Sequence, residues 1–470
     1  MWRYSLCQGR PLPAEPENNP FVNNSKKTVR MISLGCPKNL VDSEVMLGLL
    51  REKGWVPSAK DEADVIIINT CSFIREAKEE SIANILAMAE AKEKGKCRRL
   101  VVTGCLPQRY GQELLKELPE VDLFLGTGEL HHIGDLLENS KEGRLSRKQI
   151  IGLPAYLYDH RTPRLLTSTP GSVYIKIAEG CSNHCSYCII PQIRGKLRSR
   201  KISSVLQEVR QVVSGGMKEI NLIAQDITVF GQDLGGGTDL TRLLRGLVKI
   251  KGLLWIRLLY AHPGHVTPEL IRLIREEEKI CKYLDLPLQH IDDQLLGAMN
   301  RPVSSSQVRE LIARLRAEIP GITLRTSLMV GFPGETERRF RRLLDFVKEA
   351  EFEHLGVFRY SKEEGTPAAA LKGHVSEKVK EQRYHQIMRL QRQISLRQQR
   401  KKIGTHMPVL IERPGKSSGI LWEGRTQGQA PEVDGITFLR QGSVRPGEIF
   451  EAVITEATAY DLFGEIVGPA

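Results

Sequence analysis

The chain has 470 residues and a formal net charge of +12, room for about three domains of ordinary size. Its composition, 41% hydrophobic and 26% charged, excludes a disordered or fibrous class. No run nears the ~20 apolar residues that span a membrane, and the polar, proline-containing start lacks the apolar core of a signal peptide. We therefore expect a cytoplasmic protein whose nine cysteines are reduced and available for metal.

Along the chain, residues 1–28 read as a disordered tail and residues 29–150 as an α/β domain. Val65–Asn69 and Arg99–Thr103 are apolar runs of the kind buried in a sheet. Ile74–Lys94 has helical periodicity and stops at Gly95, and Asp42–Lys53 reads as a helix stopping at Gly54. Residues 151–172 read as a linker. From 173 to 402, six strand candidates alternate with helical segments: Val173–Ala178, Glu219–Ala224, Trp255–Tyr260, Tyr283–Leu288, Thr323–Val330 and His354–Tyr360. That alternation predicts a parallel α/β sheet or partial barrel. A basic helix closes this region. Residues 403–470 follow, with short alternating runs (Pro408–Glu412, Phe450–Ile454) and many glycines, the pattern of a small β-barrel.

Charge is unevenly placed. Leu371–Lys402 carries ten Lys/Arg against Glu377 and Glu381, and Gln192–Lys201 carries five with no acid. Both suit an RNA-rich partner, although a solvated helix face explains most charge runs. Ile403–Ala470 holds nine Asp/Glu against five Lys/Arg. That excess fits a basic protein surface better than a phosphate backbone.

The most informative residues are Cys181, Cys185 and Cys188 in Glu179-Gly-Cys-Ser-Asn-His-Cys-Ser-Tyr-Cys188. Three thiolates hold three irons of a four-iron cluster and leave the fourth open to substrate or cofactor. A zinc site of the three cysteines with His184 is the rival, although structural zinc ligands usually come as two separated pairs. A disulfide cluster does not suit a reducing compartment. The spacing resembles the signature of radical S-adenosylmethionine enzymes. By that resemblance the open iron binds S-adenosylmethionine and Tyr187 lies near its adenine. The run also follows the first strand candidate of its domain, where barrel enzymes gather their chemistry.

A second set, Cys36, Cys71 and Cys105, recurs at intervals of 35 and 34 residues, each after a strand-like run. In an α/β domain such ends share one rim, so a second open cluster competes with three unrelated buried thiols.

With both sets in place the chain resembles the methylthiotransferase family of radical S-adenosylmethionine enzymes, from about Val29 onward. The resemblance implies an N-terminal α/β methylthiotransferase domain, a central partial (β/α)6 radical barrel and a C-terminal TRAM-like antiparallel β-barrel. It assigns Cys36, Cys71 and Cys105 to an auxiliary [4Fe-4S] cluster and Cys181, Cys185 and Cys188 to the radical cluster. Cys7, Cys97 and Cys281 receive no ligand role. One branch of the family modifies an adenosine beside the tRNA anticodon; the other modifies an aspartate in the twelfth protein of the small ribosomal subunit. Ser33-Leu-Gly-Cys-Pro-Lys-Asn-Leu-Val-Asp-Ser-Glu44, Asp285-Leu-Pro-Leu-Gln-His290, Phe358-Arg-Tyr-Ser-Lys-Glu-Glu-Gly-Thr-Pro367 and Gln429-Ala-Pro-Glu-Val-Asp-Gly435 resemble the second branch.

In that branch the target is an unactivated β-CH2, which calls for radical chemistry supplied by a cofactor. The resemblance implies two uses of S-adenosylmethionine. One methylates sulfur at the auxiliary cluster; the other yields the radical that takes hydrogen from the aspartate. It also implies a flavodoxin or ferredoxin as electron donor, and nothing in the chain demands more than a monomer. Gln225 and Asp226 are candidates for the ribose hydroxyls, Gln289 ends another strand, and Gly331 offers close backbone approach. Turn chemistry at a strand end is the alternative for each. His262, His265 and His290 read as metal or proton-transfer groups or as polar rim histidines, and Asp285 with Arg257 as a buried ion pair. The competing functions are a tRNA methylthiotransferase and a non-catalytic iron–sulfur sensor bound to ribosomes.

Overall fold

The computed structural model describes residues 27–59, 63–95, 97–138 and 148–469. The tail expected at 1–28, with Cys7, therefore falls outside the described residues except for Lys27 and Thr28, and Thr28 already opens a strand. Two compact units form. One holds the residues up to Thr167 together with Glu179–Asn183 and Cys188–Arg198; the other holds Ser168–Ala178, His184–Tyr187 and everything from Ser199.

The first unit is built on a parallel sheet of β1 (Thr28–Ser33), β2 (Val56–Pro57), β3 (Val65–Thr70), β4 (Arg99–Gly104), β5 (Leu123–Leu125) and β6 (Lys148–Ile150), in the order β2-β1-β3-β4-β5-β6. The runs Val65–Ile68 and Leu100–Val102 are buried on both faces, as parallel strands require. Helices Pro37–Glu52, Arg75–Glu93 and Cys105–Glu117 follow β1, β3 and β4. Part of the predicted linker is strapped to this unit. Glu44 is buried on helix Pro37–Glu52 and accepts from Arg164 Nη2 at 2.6 Å and Thr167 N at 2.7 Å.

β7 (Ser172–Lys176) starts the central domain in the second unit. β8 (Ala178–Glu179) and β9 (Arg198–Ser199) form a two-stranded ribbon. The remaining strands are β10 (Glu219–Ile223), β11 (Trp255–Leu258), β12 (Ile280–Gln289), β13 (Thr323–Val330) and β14 (His354–Arg359). Their order, β14-β13-β12-β11-β10-β7, is sequential, and every pairing is parallel. This is the predicted partial barrel. At its C-terminal rim, β11, β12 and β13 are each followed or closed by a left-handed residue: Tyr260 (φ 66°), Gln289 (φ 70°) and Gly331 (φ 77°). Two of these are not glycine, a costly conformation that clusters where loops carry function.

The basic helix runs from Glu377 to Arg400, and part of its charge points inward. Lys380 donates to Tyr360 O at 2.8 Å, and Arg383 donates to Glu335 O at 3.0 Å. After it, β15 (His406–Pro414), β16 (Trp422–Thr426), β17 (Thr437–Leu439), β18 (Ile449–Ala457) and β19 (Leu462–Pro469) close a barrel around Val409, Ile411, Leu439 and Ala452. It is not wholly antiparallel, because β17 pairs parallel to β19.

This small barrel is bound to the N-terminal end of the central sheet by buried charges. Glu219 pairs with Arg425 at 2.6 Å and Arg257 at 2.9 Å. Asp434 accepts from Tyr283 Oη at 2.7 Å and faces Arg325 at 3.3 Å. Three of the barrel's nine acids are thus internal: Glu412 and Glu423 are buried, the Asp434 side chain is buried, and each is paired with an arginine. The acidic surface expected there is correspondingly smaller. Asp285 and Arg257 are both buried, but each has another partner; Asp285 meets Arg325 at 3.2 Å.

Candidate active site

Strands β1, β3 and β4 are neighbours in the sheet, so Cys36, Cys71 and Cys105 issue from one rim. Cys36 precedes helix Pro37–Glu52, Cys71 directly follows β3, and Cys105 opens its helix. Gly35 (φ 86°) keeps the first two close, since a Cβ there would stand 2.6 Å from Cys71 Cβ. Asn39 ties the loops together, donating to Leu34 O at 3.0 Å and Thr70 O at 2.9 Å. Burial, and then the neighbouring Cys105 and Cys36, push the Cys71 thiol far above its ordinary range. Burial pushes Cys105 up to about 11, with Arg194 pulling it back. Cys71 and Cys105, costly to ionise alone and with Cys36 beside them, suit a cationic iron cluster, since coordination deprotonates a thiol outright.

The Cys181–Cys188 loop is half-exposed at all three cysteines. Cys181 N donates to Gly195 O at 3.0 Å, and Ser186 N donates to Met299 O at 3.0 Å. Arg301, which the sequence did not single out, is buried with Nη1 4.0 Å from Cys185 Sγ and 3.3 Å from Tyr187 Oη; its Nη2 donates to Pro287 O at 2.6 Å. Tyr187 packs against an apolar cluster that includes Met329, Phe332 and Tyr360. Among the described residues no three His, Cys, Asp or Glu side chains stand close enough to share one metal ion. His184 is exposed, and its carbonyl accepts from Asn300 Nδ2 at 2.7 Å.

The other expected residues separate. Gln225 is half-buried at the end of β10. Asp226 is buried and serves its own turn: Oδ1 accepts from Thr228 N at 3.0 Å and Oδ2 lies 3.1 Å from His265 Nδ1. Gln289 ends β12 in its left-handed conformation. At Gly331 a Cβ would stand 2.2 Å from Lys380 Cγ, so the near neighbour of its bare backbone is a lysine stem. Its N–H donates to Glu335, itself buried 3.7 Å from His290 Nε2. His262 is buried against His265, and desolvation followed by Arg301 pushes it down to about 3. It is thus a neutral rim group.

Three family models match the chain: Uncharacterized protein family UPF0004 over residues 28–126, the radical SAM superfamily over 175–347 and the TRAM domain over 403–467. Fold and site thus define a radical S-adenosylmethionine methylthiotransferase with a C-terminal TRAM barrel, a class that uses S-adenosylmethionine and a [4Fe-4S] cluster. The chain is 53% identical over 447 residues to the ribosomal protein uS12 methylthiotransferase RimO of Geobacter sulfurreducens, covering 95% of this chain and 100% of that one. It is also 53% identical over 443 residues to the RimO of Geotalea uraniireducens, with 94% and 99% covered. The chain belongs to the RimO family. In fold alone it resembles TsrM, a radical S-adenosylmethionine methyltransferase from Kitasatospora setae (TM-score 0.51, 16% identity, 71% of this chain and 73% of that). No helix among the described residues is long and apolar enough to cross a membrane.

Proposed function

We propose that this protein adds a methylthio group to the β-carbon of an aspartate in ribosomal protein uS12. The observation that carries the reading is the 53% identity to RimO across the full length of that relative. The two cysteine sets on strand-end loops support it.

In this reading Cys181, Cys185 and Cys188 hold the radical cluster, and Cys36, Cys71 and Cys105 hold a second one. With S-adenosylmethionine bound, the clusters supply the one-electron chemistry that an unactivated C–H bond requires. The chain supplies place and environment. Arg301 puts a guanidinium against the Cys185 sulfur and fixes the Tyr187 hydroxyl, so the loop enters the reaction already oriented. Gln225 and Gln289 offer polar contacts for S-adenosylmethionine on one rim, while Asp226 acts by shaping its turn. The apolar cluster that includes Phe332 and Met329 backs Tyr187. A cytoplasmic monomer served by a flavodoxin or ferredoxin completes the reading.

The test is mass spectrometry of intact ribosomal proteins and digested tRNA from cells with and without this gene. Loss of one methylthio increment from uS12 alone supports the proposal, and complementation with Cys185→Ala should not restore it. Loss from tRNA alone places the activity on adenosine instead. An unchanged pattern in both leaves an iron–sulfur sensor.

A further inference from the structure

One buried cation in the first unit has no part in the chemistry above, yet it touches the frame of both cysteine sets. Arg194 ends helix Ile190–Arg194, six residues after Cys188, and the chain turns away at Gly195 (φ 73°). This helix packs Ile189 and Ile193 on Cys105. Arg194 is 2% exposed. Its Nη1 donates to Asp42 Oδ2 at 3.0 Å and to Glu179 Oε1 at 2.9 Å. Its Nη2 donates to Asn39 Oδ1 and lies 3.8 Å from Cys105 Sγ.

The positions of these partners give the contacts their meaning. Glu179 stands two residues before Cys181. Asn39 and Asp42 occupy the first turns of the helix that begins after Cys36. Cys105 is itself a member of the second set. One planar fork therefore joins the entry of the Cys181–Cys188 loop, its exit and two of the three strand ends of the rim. A lysine has the charge but not the fixed divergent donors to reach four acceptors. Two carboxylates around one guanidinium leave the locus formally one negative charge, and burying it is favourable only while all partners are present.

We propose that Arg194 is a positioning residue that locks the Cys181–Cys188 loop to the Cys36/Cys71/Cys105 rim and donates a hydrogen bond to the Cys105 sulfur, tuning the cluster held there. The inference rests on the two-cluster reading. Hydrogen bonds to ligand sulfur stabilise the reduced, more negative form of an iron–sulfur cluster. Removing one must lower the reduction potential without removing a ligand.

The experiment uses the full chain with Cys181, Cys185 and Cys188 all changed to Ala, reconstituted anaerobically with iron and sulfide, so that only the second set can load. Iron content, the electron paramagnetic resonance spectrum and the midpoint potential are compared for that chain and for its Arg194→Met and Arg194→Lys forms. Expected are retained iron, a lower potential and altered g values for Arg194→Met, with partial recovery in Arg194→Lys. In the chain with all cysteines present, Arg194→Met should also broaden the inter-cluster distance measured by pulsed resonance. An unchanged potential, spectrum and distance would overturn the proposal. If the triple-alanine chain binds no iron at all, the two-cluster reading fails instead, a distinct outcome. If Arg194→Met does not fold, Arg194→Lys carries the test: it keeps the charge and loses the fork, so a parent-like potential in it counts against the proposal.

Discussion

Glu219→Gln is the sharpest test of how the two C-terminal domains hold together. Glu219 is wholly buried at the start of β10. It receives Arg425 Nη2 at 2.6 Å, Arg257 Nη2 at 2.9 Å and Ser172 Oγ at 2.7 Å. Burial alone would raise its carboxyl, but Arg425 and Arg257 outweigh it and hold the group at about 2 instead of 4.5. That depression corresponds to about 3 kcal/mol of stability. The sign follows from the direction. The contribution is fully present above pH 4.5 and is lost as pH falls toward 2. The amide keeps the volume and removes the charge. It leaves Arg257 with the Gln427 carbonyl at 2.6 Å and Arg425 with Glu412 at 2.6 Å. Because Arg425 keeps one partner, the loss belongs near the low end of the ~3–5 kcal/mol for breaking a buried pair. Urea denaturation of the full chain, followed by circular dichroism and tryptophan fluorescence at several pH values, reads it. The variant should be about 3 kcal/mol less stable at pH 7, and the gap should narrow below pH 4.5. A gap under ~1 kcal/mol, the worth of an exposed pair, or one that does not change with pH, refutes the reasoning.

Three further outcomes follow from the same geometry. Gly331→Ala must strain a left-handed backbone and displace the Lys380 stem, at a cost of about 1–3 kcal/mol; adding Lys380→Ala should recover the contact part only, which a melting-temperature cycle reads. His262→Gln should lose less stability between pH 7 and pH 5 than the parent, by about 2 kcal/mol. The reason is that the buried imidazole stays neutral down to about 3 while the unfolded chain protonates near 6.5; equal losses would mean His262 is hydrated. Cys71→Ala should cut reconstituted iron per chain to about half, with the S-adenosylmethionine-responsive signal retained. Full iron in that variant would assign Cys71 to the core.

The parallel sheets were legible because buried apolar runs ending in Gly, Asn or Thr report strand and turn together. Cys36, Cys71 and Cys105 lie on one rim because β1, β3 and β4 are adjacent, as the spacing predicts. What the sequence could not carry is who meets whom. Arg194 and Arg301 are ordinary arginines in a chain rich in them, and their value arises only when distant turns converge. Gly331 looked like a place for a ligand, and its Cβ space is taken by Lys380, 49 residues on. Asp285 and Arg257 were rightly marked as buried charges, with the wrong partners. The acidity of residues 403–470 is a true count, but a count does not distinguish Glu412 and Asp434, which are internal cross-links, from Glu432 and Glu448, which face solvent.

The anchorage of the small barrel at the foot of the central sheet has a consequence for substrate size. Asp434 meets Arg325 near the start of β13, whereas the rim at Gly331 lies six residues further along, about 20 Å at strand rise. A substrate that touches both the barrel and the rim must span that height. A short peptide around the target residue of the proposed reaction engages the rim alone and forgoes the gain of a tethered second contact, in which one site raises the effective concentration at the other. Length, more than local sequence, would then separate good substrates from poor ones, and the difference would appear in KM before kcat.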